Sequence, residues 1–225
     1  LMLRYHVGTS KHWPGATVFW QVDISGRVRT GKVMLYNSEN GRRIKEPHNY
    51  ITWVHSLLKK ENFNLRQCLF GEHLLTSDQQ RPVALVESEK SALISSFYLP
   101  QYLWIASGGK NGAFNRDAMS VLLFPDLGAT DYWNSKMEMI RSLGIEVSLF
   151  DFMERNATKE ERDAGYDIAD FLLREETKEA ILNRLITLNP ALKTLVETFD
   201  LQLVDVKKAP FSATVQHARE GLFKR

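Results

Sequence analysis

Three acidic residues follow apolar segments where a strand-like pattern gives way to a helix-like one. Glu87 follows "VALV", Asp126 follows "VLLFP" and Asp151 follows "EVSLF". Open parallel sheets bind ligands beyond the carboxyl ends of their strands. Carboxylates gathered there repel one another, and Mg²⁺ or Mn²⁺ relieves that repulsion while orienting phosphate oxygens. Glu87 and Asp126 are therefore candidate catalytic and metal-binding residues, whereas Asp151 is interpreted as an N-cap.

A second pair of acids, Asp167 and Asp170, lies in the segment "GYDIAD". Their spacing of three places both carboxylates on one face if the segment is helical. We add them to the candidate metal ligands, beside Glu87 and Asp126. The alternative for each acid alone is a helix cap or a solvated strand end, because carboxylates accept hydrogen bonds from free backbone N–H groups.

The elements that must position these acids differ between the two parts of the chain. Residues 16–37 alternate apolar and polar residues around Ser25-Gly26, which predicts a β-hairpin. From residue 83 onward, short and continuously apolar strands alternate with helical stretches, which predicts a parallel sheet flanked by helices. The expected fold class is therefore α/β, with a small and mainly β unit preceding the parallel sheet.

A polar connector, "TSDQQRP" at residues 76–82, is the best candidate for a domain boundary. The predicted domains are a β-rich N-terminal domain over 1–78, an α/β domain over 79–176, and C-terminal helices with a tail over 177–225.

Composition excludes several classes of protein. The net charge of +2 is too small to indicate a nucleic-acid partner by itself, and the single cysteine, Cys68, excludes disulfide frameworks and multi-cysteine zinc sites within these 225 residues. No apolar run approaches the roughly 20 residues that cross a bilayer, and no signal-peptide pattern is present. We expect a cytoplasmic protein without a membrane partner.

The small net charge conceals two oppositely charged regions. Residues 27–45 contain six Lys/Arg and one acid, whereas residues 151–180 contain ten acids and five Lys/Arg. Basic side chains beside an acidic metal edge would hold a nucleic-acid backbone while the metal meets one phosphate. The alternative is a solvated strand face. The candidate nucleic-acid-binding residues are Arg27, Arg29, Lys32, Arg42, Arg43, Lys45 and Lys110.

The motifs "VALVESEKSALI", "WIASGGKNG", "VLLFPDLGATDYWN" and "GYDIADFL" together resemble the Toprim (topoisomerase–primase) domain. The resemblance covers about residues 80–175 and is greatest to primase-like Toprim proteins of bacterial mobile elements. It implies a Toprim-like parallel sheet, with Glu87 as general acid or base and Asp126 as a Mg²⁺ ligand. The second acid of the family's Asp-x-Asp pattern is Gly128 here, and Asp131 is the alternative acid nearby.

The resemblance implies Mg²⁺-dependent nucleotidyl transfer on DNA, most simply single-stranded DNA, with nucleoside triphosphates as substrates and replication proteins as possible partners. Asp167 and Asp170 resemble the downstream acids of primase-like members. Two other hypotheses remain open. One is a degenerate Toprim protein that only binds nucleic acid or a replication partner, as the departure at Gly128 suggests. The other is a Toprim nuclease.

Overall fold

The computed structural model describes residues 1–59, 61–78, 81–108, 120–173 and 178–203. These residues form an α/β protein with an antiparallel and a parallel sheet of four strands each, so the predicted fold class is confirmed.

The N-terminal sheet is antiparallel, in the order β1-β2-β3-β4. Its strands are β1 (Val7–Ser10), β2 (Ala16–Val22), β3 (Val28–Met34) and β4 (Ile51–Trp53), and the short helix α1 (Val54–Leu58) follows β4. The predicted hairpin is β2–β3, whose turn contains Gly26 at a φ of 75°. This left-handed conformation costs glycine little, since glycine has no Cβ.

The second sheet is parallel, in the order β6-β5-β7-β8. Its strands are β5 (Val83–Val86), β6 (Leu103–Ala106), β7 (Ser120–Leu123) and β8 (Glu146–Leu149). Helix α2 (Glu89–Tyr98) follows β5, and α3 (Thr130–Ser142) follows β7. All four residues of β5 are buried, as expected of a central strand in a covered parallel sheet.

Three short helices follow β8 and lead to the second acidic pair. They are α4 (Phe152–Asn156), α5 (Lys159–Ala164) and α6 (Ile168–Leu173). Asp151 lies at the predicted N-cap position of α4, but its carboxylate makes no capping hydrogen bond and pairs instead with Arg155 at 2.8 Å.

Both sheets belong to one compact unit, residues 1–172. Phe70 joins them: its backbone pairs with Ala106 at the end of β6, and its ring packs edge-on against Phe19 of β2. The buried Tyr5 hydroxyl donates to the Trp104 carbonyl oxygen at 2.8 Å. The finer division of this unit near residue 78 stays a prediction.

Residues 173–225 form a second compact unit. Its described part contains α7 (Lys178–Leu188) and α8 (Ala191–Phe199). Among the described residues of the whole chain, no helix is both long enough and apolar enough to cross a bilayer.

Candidate active-site edge

The strand order places Glu87 and Asp126 at the same edge of the parallel sheet. β5 and β7 are neighbours with aligned registers, and the Phe124 N–H donates to the Leu85 carbonyl at 2.8 Å just beyond the last paired residues. Glu87 follows β5 directly, Asp126 follows β7 after two residues, and both acids are half-buried. We call this edge, with Glu87, Asp126, Asp167 and Asp170, the carboxyl edge.

Glu87 is oriented by Trp133, a residue that sequence reasoning did not identify. The indole Nε1–H of Trp133, on the first turn of α3, donates to Glu87 Oε1 at 3.0 Å. Trp133 is 2% exposed, and a buried indole N–H needs such an acceptor. The hydrogen bond therefore fixes the side chain of Glu87 against the element that follows Asp126.

Asp167 and Asp170 hold each other through the start of α6. The Asp170 N–H donates to Asp167 Oδ1 at 3.0 Å, and the Asp167 N–H donates to Asp170 Oδ2 at 3.1 Å. Burial, and then the charge of Asp167, raises the pKa of Asp170, while the hydrogen bond from the Asp167 N–H and, less strongly, the charges of Lys90 and Arg42 oppose the rise. The pair thus caps a helix as well as forming a concentration of negative charge.

Two contacts bring the Asp167–Asp170 pair to the other two acids. The Ser91 hydroxyl, on α2 four residues after Glu87, donates to Asp167 Oδ2. The Leu127 N–H, next to Asp126, donates to the Tyr166 carbonyl at 2.9 Å. The start of α2, the turn after β7 and the segment just before α6 therefore meet at the carboxyl edge.

A further acid, Glu154 of α4, reaches the turn after Asp126. Its Oε2 accepts hydrogen bonds from the Gly128 N–H at 3.2 Å and from the Thr130 hydroxyl at 3.3 Å. Its other oxygen pairs with Arg162 of α5. A carboxylate 26 residues away in sequence thus holds the turn at Gly128. The local sequence carries no signal for this contact.

Arg27 and Arg29 lie on the hairpin and share one carboxylate. Their Nε–H groups donate to Asp23 Oδ2 at 3.0 and 2.7 Å. Burial alone would raise the pKa of Asp23, but backbone N–H donors and the two guanidinium groups outweigh it and lower the pKa to about 2. Any phosphate bound by these arginines has to share them with Asp23.

Lys32 lies in a nearly buried position between the two sheets. Its ammonium contacts Glu89 Oε2 and the Gly108 carbonyl, each at 3.1 Å. The side chains are 13% and 2% exposed for Lys32 and Glu89. The positive charge of Lys32 is therefore neutralised by the carboxylate of Glu89.

The other basic candidates lie on the loop after β3 or outside the described residues. Arg42, Arg43 and Lys45 are exposed. The Lys90 ammonium on α2 contacts the Gly41 carbonyl at 3.4 Å, so the tip of this loop lies against α2 near the carboxyl edge. Lys110, like Gly109, falls outside the described residues.

The carboxyl edge fits one mode of magnesium binding. Across the described ranges, no three His, Cys, Asp or Glu side chains are close enough together to hold a metal ion by themselves. Mg²⁺ seldom uses such a cage: it keeps several waters and is commonly held by one or two carboxylates together with substrate phosphates. Glu87 and Asp126 supply the oxygen donors that this mode needs, whereas Asp131 is exposed on α3.

The family model described as "Domain of unknown function (DUF6371)" matches residues 1–127, more than half of the chain. No curated protein matches the sequence.

Several solved primase structures share part of the architecture. The zinc-binding and RNA polymerase domains of Aquifex aeolicus primase are 14% identical, with a TM-score of 0.44 over 80% of this chain and 45% of that one. A DnaG primase catalytic domain bound to ssDNA is 15% identical, with a TM-score of 0.46 over 86% and 78%. The RNA polymerase domain of Mycobacterium tuberculosis primase DnaG is 12% identical, with a TM-score of 0.42 over 98% and 76%.

The chain spans less than half of the Aquifex aeolicus structure and 64% of a DNA primase domain from Pseudomonas aeruginosa.

Proposed function

The chain belongs to the family described as "Domain of unknown function (DUF6371)", and we propose that it is a Toprim-type, primase-like protein acting on DNA. Its activity would be Mg²⁺-dependent nucleotidyl transfer in the replication of a mobile element. One observation carries the proposal: Glu87 and Asp126 follow neighbouring parallel strands, β5 and β7. Asp167 and Asp170 are linked to the same edge through Ser91.

Each residue of the carboxyl edge has a distinct role in this proposal. Glu87 and Asp126 would hold Mg²⁺ (or Mn²⁺), which supplies charge neutralisation at the phosphate oxygens. Trp133 holds Glu87 by one oxygen and thereby fixes the carboxylate that acts as general acid or base. Asp167 and Asp170 would add negative charge and further oxygen ligands behind that pair.

Basic side chains near the edge would hold the nucleic-acid backbone and the phosphates of a nucleoside triphosphate. Arg42 and Arg43 are exposed, and Lys90 ties their loop to α2. These charges would position the strand without reading its sequence, because phosphate contacts carry no base information. Arg27 and Arg29 would also contact the backbone phosphates, from the side of the hairpin on which both arginines bind Asp23.

A second candidate function is nucleic-acid or replication-partner binding without catalysis. Gly128 supplies no carboxylate, and its N–H group instead binds Glu154, whose charge is matched by Arg162. This version predicts DNA binding that depends on salt and is unaffected by EDTA. A Toprim nuclease is the third version, and it predicts divalent-dependent strand cutting without nucleoside triphosphates.

The test is Mn²⁺ titration followed by electron paramagnetic resonance, together with primer synthesis on single-stranded DNA from labelled nucleotides. We expect Mn²⁺ binding and Mg²⁺-dependent synthesis, and we expect Glu87→Gln with Asp126→Asn to abolish both. A matched control is Glu138→Gln with Glu146→Gln, two exposed acids, one in the third turn of α3 and one at the start of β8.

Different results distinguish the three candidate functions. A wild-type protein that binds no divalent ion removes the catalytic proposal, and EDTA-resistant DNA binding then supports the second candidate. Cutting of the strand in place of synthesis supports the nuclease. Equal metal binding by the wild type and the Glu87/Asp126 variant would mean that the metal site lies elsewhere.

A further inference from the structure

Three aromatic rings line up at the end of the N-terminal sheet, and the proposed chemistry does not use them. Trp53 ends β4, His55 lies in α1, and Phe63 follows shortly afterwards. The rings of His55 and Phe63 are stacked, with centroids 5.4 Å apart and planes at 7°. The Trp53 ring lies 6.0 Å from that of His55. We call Trp53, His55 and Phe63 the aromatic shelf.

The shelf is both accessible and held in place. Phe63 is 38% exposed, and Trp53 and His55 are half-buried. The buried Thr30 hydroxyl is 2.8 Å from His55 Nδ1, which fixes the imidazole plane against β3. Rings that are already fixed lose little conformational freedom when a planar ligand stacks on them.

The segment that carries the shelf is rich in basic residues, and Lys32, which lies beside Trp53, is paired with Glu89. The Lys32 ammonium lies 6.0 Å from the centre of the Trp53 ring, and it also contacts the Gly108 carbonyl just beyond β6. Residues 27–66 carry nine Lys/Arg and three acids. An occupant that combines flat aromatic faces with negative charge therefore fits this surface better than an apolar protein segment.

We propose that the aromatic shelf binds unpaired bases of single-stranded DNA by stacking, beside the carboxyl edge. The proposal rests on the nucleic-acid role proposed above and specifies the form of its partner. Bases in a duplex are already stacked on their neighbours, whereas an unpaired base offers a free face to an aromatic ring. Phe63, the most exposed ring of the three, is the outer contact.

The experiment measures binding of the full chain to a fluorescein-labelled oligothymidylate, and to a duplex, over a series of salt concentrations. We expect Phe63→Ala to weaken single-strand binding about tenfold and to leave duplex binding unchanged. Its plot of log affinity against log salt should run parallel to that of the wild type, since stacking releases no counterions. Phe63→Trp should restore binding and Phe63→Leu should not.

Phe97→Ala is the matched control, because Phe97 is also an exposed phenylalanine, 72% accessible, but lies on α2 outside the shelf. It should bind like the wild type. Oligothymidylate should also quench tryptophan fluorescence less in Trp53→Phe than in the wild type, and this readout requires no loss of affinity.

Three results would overturn the shelf and one would overturn its premise. Unchanged binding by Phe63→Ala, or an equal loss for single strand and duplex, removes the shelf while leaving the nucleic-acid role intact. Self-association that disappears in Phe63→Ala would assign the rings to a contact between copies of the chain. A wild-type chain that binds no oligonucleotide at low salt removes the nucleic-acid role itself.

Discussion

The two sheets of the first compact unit assemble their polar groups over different sequence distances. In the antiparallel sheet, Asp23 binds side chains four and six residues away. In the parallel sheet, the Glu87–Trp133 hydrogen bond spans 46 residues and the Asp167–Ser91 hydrogen bond spans 76.

The cause of this difference is the connection between strands. Antiparallel neighbours can be joined by a tight turn, whereas parallel neighbours need a crossover of a dozen or more residues, usually a helix. The parallel sheet therefore brings chain-distant acids to one edge. The antiparallel sheet presents charges that were already close in sequence, and this division of roles is what the proposed site depends on.

The two sheets are joined by the buried ion pair of Lys32 and Glu89. Lys32 lies on β3, and Glu89 is the first residue of α2. Among the described residues, Glu89 Oε1 and Gln21 Oε1 are buried without a hydrogen-bond partner. The contact between the two sheets therefore depends strongly on the Lys32 ammonium, which binds Glu89 Oε2.

The largest predicted effect comes from breaking this contact with Lys32→Met. Removing one partner leaves a buried carboxylate unpaired, so we expect a loss of about 3–5 kcal/mol in the free energy of unfolding. Denaturant unfolding measures it. The double variant Lys32→Met with Glu89→Leu should recover most of the loss, because no charge then remains buried. A single variant as stable as the wild type would show that the pair contributes little.

Much of the parallel sheet could be predicted from the sequence. The apolar run "VALV" before Glu87 is β5, at Val83–Val86. This prediction succeeds because a strand buried on both faces must be continuously apolar. The placement of Glu87 and Asp126 at one edge follows from strand order, which the alternation of strands and helices restricts strongly.

The partners of those acids could not be predicted. Trp133 resembles any apolar core residue of an amphipathic helix until the geometry shows its N–H group on Glu87. Lys32 is equally ambiguous, because a basic residue on a strand can face solvent or a buried carboxylate. Glu154 reaches Gly128 across 26 residues, and only the packing of α4 against the turn brings them together.

The second predicted effect is a smaller loss of stability, and it concerns Glu154, which binds the turn between β7 and α3. Glu154→Ala removes the acceptor for Gly128 and Thr130 at the start of α3, so we expect a loss of about 1 kcal/mol in the free energy of unfolding, as for a lost helix cap. Glu154→Gln keeps an acceptor oxygen and should lose less.

Glu138→Ala is the control for this variant, since it removes an exposed acid from α3 and should leave stability nearly unchanged. The indole N–H resonance of Trp133, assigned with Trp133→Phe, reports on the same turn. It should shift in Glu154→Ala and not in Glu138→Ala. Equal behaviour of both variants would mean that Glu154 does not fasten the turn.

The smallest effect tests the local charges of the antiparallel sheet through Asp23→Asn. The folded protein lowers the pKa of Asp23 from 3.8 to about 2, so the ionised carboxylate stabilises the fold above the unfolded-state pKa. That contribution disappears as the pH falls through the folded-state value. Thermal unfolding of the wild type and Asp23→Asn should therefore differ above about pH 4 and converge towards about pH 2. Arg29→Gln removes one guanidinium and so raises the folded-state pKa of Asp23, and in that background the effect of Asp23→Asn should be smaller and should vanish at a higher pH. A difference that is constant across this range would assign the role of Asp23 to the geometry of the turn and not to its charge.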